Sequence, residues 1–330
     1  MATLQSKQYH DEEAARAHLE KIQWPDGPVC PHCGVVGNAY KLTAKEGSKT
    51  PVRKGVYKCA DCREQFTVTV GTIFEDSKIP LHKWLLAIHL MCSSKKGISA
   101  HQLWRNLWPV NEETGKQGGS YRTAWFMAHR VRWALGQEPL AEKLKGILEI
   151  DETWVGGKLE RPERKMLRKG DTKKTGFNPN ANKTPVVTIL QRDGTVRSMN
   201  AEIVTAEMLR PMVDEMIDKN NAHIMTDSAT RLKFSKYGWK HSTVNHKRKE
   251  YSRHEDGLVI TTNTVEGYFS IFKRGVNGVF HHVGKQYLDQ YLREFDFRYN
   301  MRKVADADRV TMAVKKTSGK RLMLREPKAK

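Results

Sequence analysis

The chain is 330 residues long, room for about two domains and a substantial core. Its 57 Lys and Arg stand against 37 Asp and Glu, a formal net charge of +20, which suits a polyanionic partner, most simply nucleic acid. No run of 18 or more apolar residues is present, which argues against a transmembrane helix, and the polar start from Met1 to Glu20 does not read as a signal peptide. The protein is therefore expected in the cytoplasm, associated with the nucleoid and with no membrane partner. There, cysteines are better metal ligands than disulfides.

Residues 8–24 read as a short helix, with Ala14, Ala15, Ala17, Leu19 and Ile22 among charges, stopped by Trp24-Pro25-Asp26-Gly27. Cys30-Pro31-His32-Cys33-Gly34 and Cys59-Ala60-Asp61-Cys62 follow, with 25 residues between Cys33 and Cys59. Paired C-x-x-C turns at this spacing fit a four-thiolate zinc ribbon, with Cys30, Cys33, Cys59 and Cys62 as ligands of a structural zinc. Two metal-free thiol pairs are the alternative. Gln65–Val70 reads as a strand. Cys92 sits in an apolar run and reads as a core thiol.

The stretch 78–140 reads as helical. Pro80 suits a first helical position before the apolar 81–93 run. Ser99 can cap a helix through Leu103, Trp104 and Leu107, and Ser120 a third over Tyr121–Trp133, which carries Arg122, His129, Arg130 and Arg132. This order suggests a helix-turn-helix with the last helix in a major groove, or a plain helical linker bundle.

Ile147–Gly157 reads as a strand ending in a Gly pair, and it carries Asp151 between Glu149 and Glu152. Residues 158–183 hold nine Lys or Arg and three acids and read as a basic insertion able to meet phosphates. A hairpin through Pro185–Leu190 and Val196–Val204, a helix Ala206–Lys219, a strand to Asp227, another at His241–Val244, a helix Asn263–Arg274 and a last helix Gln286–Asn300 complete a mixed sheet with flanking helices, of ribonuclease H-like type. The final 30 residues hold ten Lys or Arg and three acids, read as a basic tail.

A carboxylate inside a strand is costly to bury without compensation. Divalent ions supply it when other acids converge, and Mg²⁺ prefers such oxygen ligands. Asp151, Asp227 and Glu266 fit that role. Each also has a plainer reading: Glu149 shares a strand face with Asp151, Asp227 can cap a helix, and Asn263-x-x-Glu266 is a capping-box pattern. Lys273, two helical turns after Glu266, shares its face and can reach a phosphate.

Together, Cys-Pro-x-Cys-Gly with a second Cys-x-x-Cys, Asp151-Glu-Thr-Trp-Val-Gly-Gly-Lys, Thr226-Asp227, Asn263-Thr-Val-Glu-Gly-Tyr-Phe-Ser-x-Phe-Lys-Arg-Gly and Glu294-Phe-Asp-Phe-Arg-Tyr-Asn resemble bacterial insertion-sequence transposases. These join a zinc ribbon to a DDE domain and are related to eukaryotic Merlin elements. The resemblance covers roughly residues 10–303. It implies a ribonuclease H-like core, Mg²⁺ or Mn²⁺ held by Asp151, Asp227 and Glu266, a catalytic basic residue at Lys273, and binding to terminal inverted repeats and target DNA as a homo-oligomer on DNA. The expected whole is a multidomain α+β chain: an N-terminal helix (1–27), a zinc ribbon (28–71), a helical, helix-turn-helix-like DNA-binding region (72–140), a ribonuclease H-like mixed α/β catalytic domain (141–303) with the basic insertion 158–183, and a basic tail (304–330). A non-catalytic DNA-binding regulator and a simple metal-dependent nuclease are the competing functions. The first predicts salt-sensitive binding without nicking; the second cuts but never joins strands.

Overall fold

The computed structural model describes residues 4–44, 52–136, 142–157, 182–228 and 233–320. The expected basic insertion, apart from Asn182 and Lys183, and residues 321–330 of the expected tail lie outside the described residues. The chain divides into two units, Met1–Gly136 with Met301–Lys330, and Gln137–Asn300.

In the first unit, α1 (Glu12–Gln23) starts where the Asp11 carboxylate accepts the Ala14 N–H at 2.7 Å. This satisfies one of the donors that every helix start leaves open. A three-stranded antiparallel sheet follows, β1 (Ala39–Lys41), β2 (Tyr57–Cys59) and β3 (Gln65–Phe66). The expected strand Gln65–Val70 is cut short at Phe66, because the next residues close turns: Val70 N–H donates to Thr67 O and Thr72 N–H to Thr69 O. Trp24 packs edge-on against Tyr57 and Phe66, at 5.2 and 5.7 Å.

Then come α2 (Leu81–Ser93), α3 (Ala100–Leu107) and α4 (Tyr121–Ala134). Ser99 and Ser120 cap α3 and α4 by accepting the Gln102 and Thr123 N–H groups, as their positions predict. The basic residues of α4 depart from expectation. Arg132 is 1% exposed and His129 3%, while Arg130 donates to Ile73 O at 2.7 Å and lies over Phe126. Only the first turn, Tyr121 and Arg122, is fully exposed. A 3.6-residue period places Ala124, Met127, Ala128 and Val131 inward, and the residues beside them follow.

The second unit is built on a five-stranded sheet of order β6-β5-β4-β7-β8. β4 (Leu144–Val155), β5 (Thr184–Gln191) and β6 (Val196–Asn200) run antiparallel in sequence, and β7 (Ile217–Asp227) and β8 (Lys240–Val244) run parallel to β4. Period-two alternation divides the two faces. Leu148, Ile150, Val187 and Ile189 pack with Leu209 and Val213 of α5 (Ala206–Met216). On the other face, Val186, Leu190 and Val196 pack with Val265, Phe269 and Phe272 of α6 (Asn263–Gly275) and Leu292 and Phe295 of α7 (Leu288–Asn300).

Two differences from expectation matter here. α5 stops at Met216 rather than Lys219, and β7 begins at once with Ile217. The β-branched Ile217 and the pair Asn220-Asn221 are weak helix formers. A second hairpin, β9 (Ser252–Glu255) and β10 (Leu258–Thr261), precedes α6. Its turn is Asp256-Gly257, with φ of +50° and +73°, the left-handed pair a two-residue hairpin favours.

Beyond Asn300 the chain returns to the first unit. The expected tail folds, through α8 (Asp306–Lys315), with Val310, Ala313 and Val314 buried. Gln23 donates to Val314 O at 2.8 Å, and Thr72 bridges to Ser318. Spacing of i, i+3, i+4 gives this basic segment an apolar stripe. Among the described residues no helix is long and apolar enough to cross a membrane.

Candidate active site and metal centre

The four predicted cysteines meet. The sulfurs of Cys30, Cys33, Cys59 and Cys62 all lie within 4.8 Å of one another, with Cys30–Cys62 and Cys33–Cys59 each at 3.6 Å. A tetrahedron of Zn–S bonds of about 2.3 Å has edges of about 3.8 Å, so the spacing fits a zinc ion. The knuckle is made by Gly34 N–H donating to Cys30 O and Cys30 N–H to Val35 O. Burial works against ionising Cys30, but the N–H groups of Cys33 and His32 directed at its sulfur bring the thiol down to about 7. The chemistry is that of a thiolate ligand. Cys92 is buried in α2, outside this group, as expected.

In the second unit, β4 and β7 are parallel and pair Glu149 with Met225. Asp151 and Asp227 each stand two residues further along, hence on the same face as that pair and toward the C-terminal ends of adjacent parallel strands. In open α/β sheets that is where ligands bind. The face is the one α6 covers, and Glu266 sits in the first turn of α6. Asp151 responds to burial and to the other acids. Burial pushes the Asp151 carboxyl up to about 7, and the charges of Glu152, Glu266 and Asp227 push in the same direction. Glu152 is raised by burial and then by Asp227. Perturbed carboxyls around one edge of a sheet mark a place that favours a cation.

Glu266 is exposed and is held through one carboxylate oxygen. Its Oε1 lies 3.1 Å from His246 Nε2 and accepts from the Thr262 hydroxyl at 3.3 Å. The capping box expected from Asn263 to Glu266 does not form: Asn263 is already inside the helix and Thr262 is the N-cap residue, without a side-chain cap bond. Lys273 and Arg274 are exposed near the end of α6, and Arg274 donates to the Ser270 hydroxyl at 2.7 Å.

Glu149, the neighbour that made the strand's ligand ambiguous, is 0% exposed. Its oxygens are taken: Oε1 by Arg192 Nε at 2.7 Å and the Thr264 hydroxyl at 2.9 Å, Oε2 by the Thr264 and Val265 N–H groups, both at 2.9 Å. Glu149 is thus committed to Arg192 and the start of α6, which leaves Asp151 as the candidate ligand on this strand face; among the described residues the cysteines, and not these three acids, bring their ligand atoms within 4.8 Å of one another. Arg192 and His246 escaped the sequence reading, since their partners lie far away in the chain. The Asp256-Gly257 turn that announces the hairpin ahead of α6 was a usable signal.

At the end of β4, Gly156 has φ of +148°, and a Cβ there would stand 2.6 Å from Asn182 O. The strands β4 and β5 are pinched together at the base of the basic insertion, which only glycine permits.

Residues 143–300 match the model of the ISXO2-like transposase domain, and residues 10–65 match that of the transposase zinc-ribbon domain. An uncharacterized protein in transposable element ISH50 of Halobacterium salinarum is 27% identical over 300 residues, covering 88% of this chain and 92% of that protein.

Proposed function

Because the chain belongs with the ISXO2-like, zinc-ribbon transposases of insertion sequences, we propose that it binds the terminal inverted repeats of its element and catalyses DNA strand cleavage and strand transfer. Asp151, Asp227 and Glu266 would hold Mg²⁺ or Mn²⁺, and Lys273 would contact a phosphate beside them. The observation that carries this reading is the position of Asp151 and Asp227 toward the C-terminal ends of adjacent parallel strands on the face of α6, which bears Glu266; burial, and after it the charges of Glu152, Glu266 and Asp227, raises Asp151 to about 7. The order β6-β5-β4-β7-β8 supports a ribonuclease H-like fold.

The donor set suits the ion: carboxylate oxygens are hard ligands. When bound, divalent ions supply Lewis-acid stabilisation to the attacking and leaving oxygens of phosphodiester chemistry. The chain's own residues do the rest. Asp151, raised to about 7, would have to be deprotonated to act as a ligand. Glu266 would contribute from the first turn of α6, where His246 and Thr262 hold its Oε1. Lys273, on the exposed side of the same helix, positions the DNA backbone. Water attacks the phosphodiester at the element end and the P–O3′ bond breaks, leaving a 3′-hydroxyl and a 5′-phosphate; that hydroxyl then attacks a target phosphodiester, whose own P–O3′ bond breaks to release a target 3′-hydroxyl, so one ester replaces another.

The zinc ribbon and the helices α2–α4 form the DNA-binding part in this reading, supported by their charge. Residues 77–137 contain two acids, Glu112 and Glu113, and nine Lys or Arg. Exposed Lys95, Lys96, Arg105 and Arg122 fit phosphate contacts, and only the first turn of α4 is open to a groove. The protein acts on the nucleoid as a homo-oligomer that brings element ends together.

The test uses purified protein, element-end DNA and Mg²⁺. Nicking at the element end followed by joining to target DNA is expected, and both are lost in Asp227→Asn while salt-sensitive DNA binding persists. Cleavage that survives Asp227→Asn refutes the assignment.

A further inference from the structure

We infer that Glu149 and Arg192 are positioning residues for the acid site: together they set where Glu266 stands relative to Asp151. The inference rests on the reading of Asp151, Asp227 and Glu266 as divalent-ion ligands.

An α-helix begins with backbone N–H groups that need acceptors, and a Ser, Thr, Asp or Asn just before the helix usually supplies one. Thr262 occupies that place in α6 but makes no side-chain cap bond; its hydroxyl goes to Glu266 instead, at 3.3 Å. The acceptor comes from 115 residues earlier in the chain. Glu149 Oε2 takes the N–H groups of Thr264 and Val265, both at 2.9 Å, and Oε1 takes the Thr264 hydroxyl at 2.9 Å. A negative charge here also meets the positive end of the helix dipole.

This cap ties two ligands together. Glu149 lies two residues before Asp151 on one face of β4, and Val265 immediately precedes Glu266. A single carboxylate therefore links the strand that carries the first acid to the helix turn that carries the third. A local cap would satisfy the same N–H groups and leave the helix free to slide along the sheet.

Arg192 completes the clamp. A carboxylate with no exposure is destabilising unless paired and hydrogen-bonded, and Arg192 Nε supplies the pair at 2.7 Å with 19% of its side chain exposed. The rest of the guanidinium does not face solvent alone. Nη1 donates to Val259 O at 2.7 Å, and Nη2 to Thr261 O at 3.0 Å and towards Met225 Sδ at 3.1 Å. Val259 and Thr261 belong to β10, which runs directly into α6, and Met225 is on β7, two residues before Asp227. One planar, five-donor head group thus touches the segments leading to all three acids.

The measurement is Mn²⁺ affinity of the full-length, zinc-loaded protein, by water proton relaxation, well below the unfolding temperature and at one pH. Glu149→Asp keeps the charge but withdraws it by one methylene. Thr264→Val removes one donor and nothing else. Asp227→Asn is the control for the site itself. Glu149→Asp is expected to weaken Mn²⁺ binding about tenfold or more, the size seen when groups behind metal ligands are altered, and Thr264→Val to weaken it less. A purely structural role lowers the unfolding temperature and leaves the affinity of the folded protein unchanged. Parent-like affinity in Glu149→Asp, with binding lost in Asp227→Asn, overturns the inference and leaves the acid site standing. If Glu149→Asp does not fold, Thr264→Val decides: parent-like affinity overturns the inference and weaker binding supports it. If the parent binds no Mn²⁺, or Asp227→Asn binds it equally, the acid-site reading falls and this inference with it.

Discussion

Asn300 and Val196 exchange two hydrogen bonds: the Val196 N–H donates to Asn300 Oδ1 at 2.7 Å, and Asn300 Nδ2 donates to Val196 O at 3.1 Å. The last residue of α7 thus does for edge strand β6 what a sixth strand would do. Asp296 accepts the Ser198 N–H at 2.7 Å and Asp289 the Asn200 N–H at 3.3 Å. The three alternate N–H groups on the open side of β6 are covered by one helix, which removes a template for unwanted strand pairing.

Asn300→Ala leaves a buried N–H and C=O without these partners. The expected loss is about 2–3 kcal/mol, given roughly 1–3 kcal/mol for a buried backbone group deprived of its bond. Differential scanning calorimetry should show the transition of the second unit moving down, with zinc content unchanged. An unmoved transition would mean that water replaces the amide at no cost.

Asp296 predicts a pH dependence. Its carboxyl is pushed up to about 6 by burial, against the opposing hydrogen bonds from Tyr268 and Ser198. Tyr268 donates to it at 2.6 Å. The folded value lies above the unfolded one of about 3.9, so the folded state holds this proton more tightly. The group's contribution to stability is complete below about pH 4 and is lost as pH rises through about 6. Asp296→Asn removes that slope. Its stability relative to the parent should rise by about 2–3 kcal/mol between pH 4 and pH 7, read from unfolding temperatures at each pH. A constant difference across that range contradicts the assignment.

The zinc centre holds more than its own loops. Cys30, Cys59 and Phe66 are buried together, with Trp24 and Tyr57 packed against them. The three-stranded sheet is small, with strands of two or three residues, too little apolar surface to persist alone. Cys59→Ala should abolish bound zinc, measured by elemental analysis as one ion falling to none. It should also flatten the aromatic circular dichroism that the Trp24–Tyr57–Phe66 cluster produces, because structural zinc sites contribute folding energy directly. Full zinc retention in Cys59→Ala would rule out the four-thiolate centre.

Legibility in the sequence followed the range of each interaction. The cysteine turns, the Ser99 and Ser120 caps and the strand through Asp151 are local patterns, and each was readable. The hairpin at Asp256-Gly257 was readable but passed over, because its strands are short and carry Arg253, His254 and Glu255. In α8 the stripe of Val310, Ala313 and Val314 is short and stands beside Lys315, Lys316 and Lys320, so composition alone reads as a basic tail. That Glu149 is the structural acid of the pair is not legible in the sequence. That depends on Arg192, Thr264 and Val265, which lie 43 to 116 residues away. The inward turn of Arg130 and Arg132 in α4 likewise depends on what the rest of the unit places beside that helix.

Asp151 links pH, stability and ion binding in one residue. Burial and the neighbouring charges raise its carboxyl to about 7, above an unfolded value of about 3.9. The stability it contributes is therefore present below about pH 4 and lost as pH rises through 7. Without a divalent ion, ionising the Asp151 carboxyl costs the fold stability as pH rises through 7. Asp151→Asn should accordingly stabilise the protein purified without added Mg²⁺ or Mn²⁺, by roughly 3–4 kcal/mol at pH 7.5 and by little at pH 4. The same substitution removes a proposed ligand, so it should abolish the rise in unfolding temperature that Mn²⁺ gives the parent by binding the folded state. In the parent, Mn²⁺ affinity should increase from pH 6 to pH 8 as up to one proton is displaced per ion. Thermal unfolding with and without Mn²⁺ at these pH values checks all three. A variant that is destabilised at pH 7.5 and still gains from Mn²⁺ would show that Asp151 is a structural acid, and the site would have to be sought elsewhere.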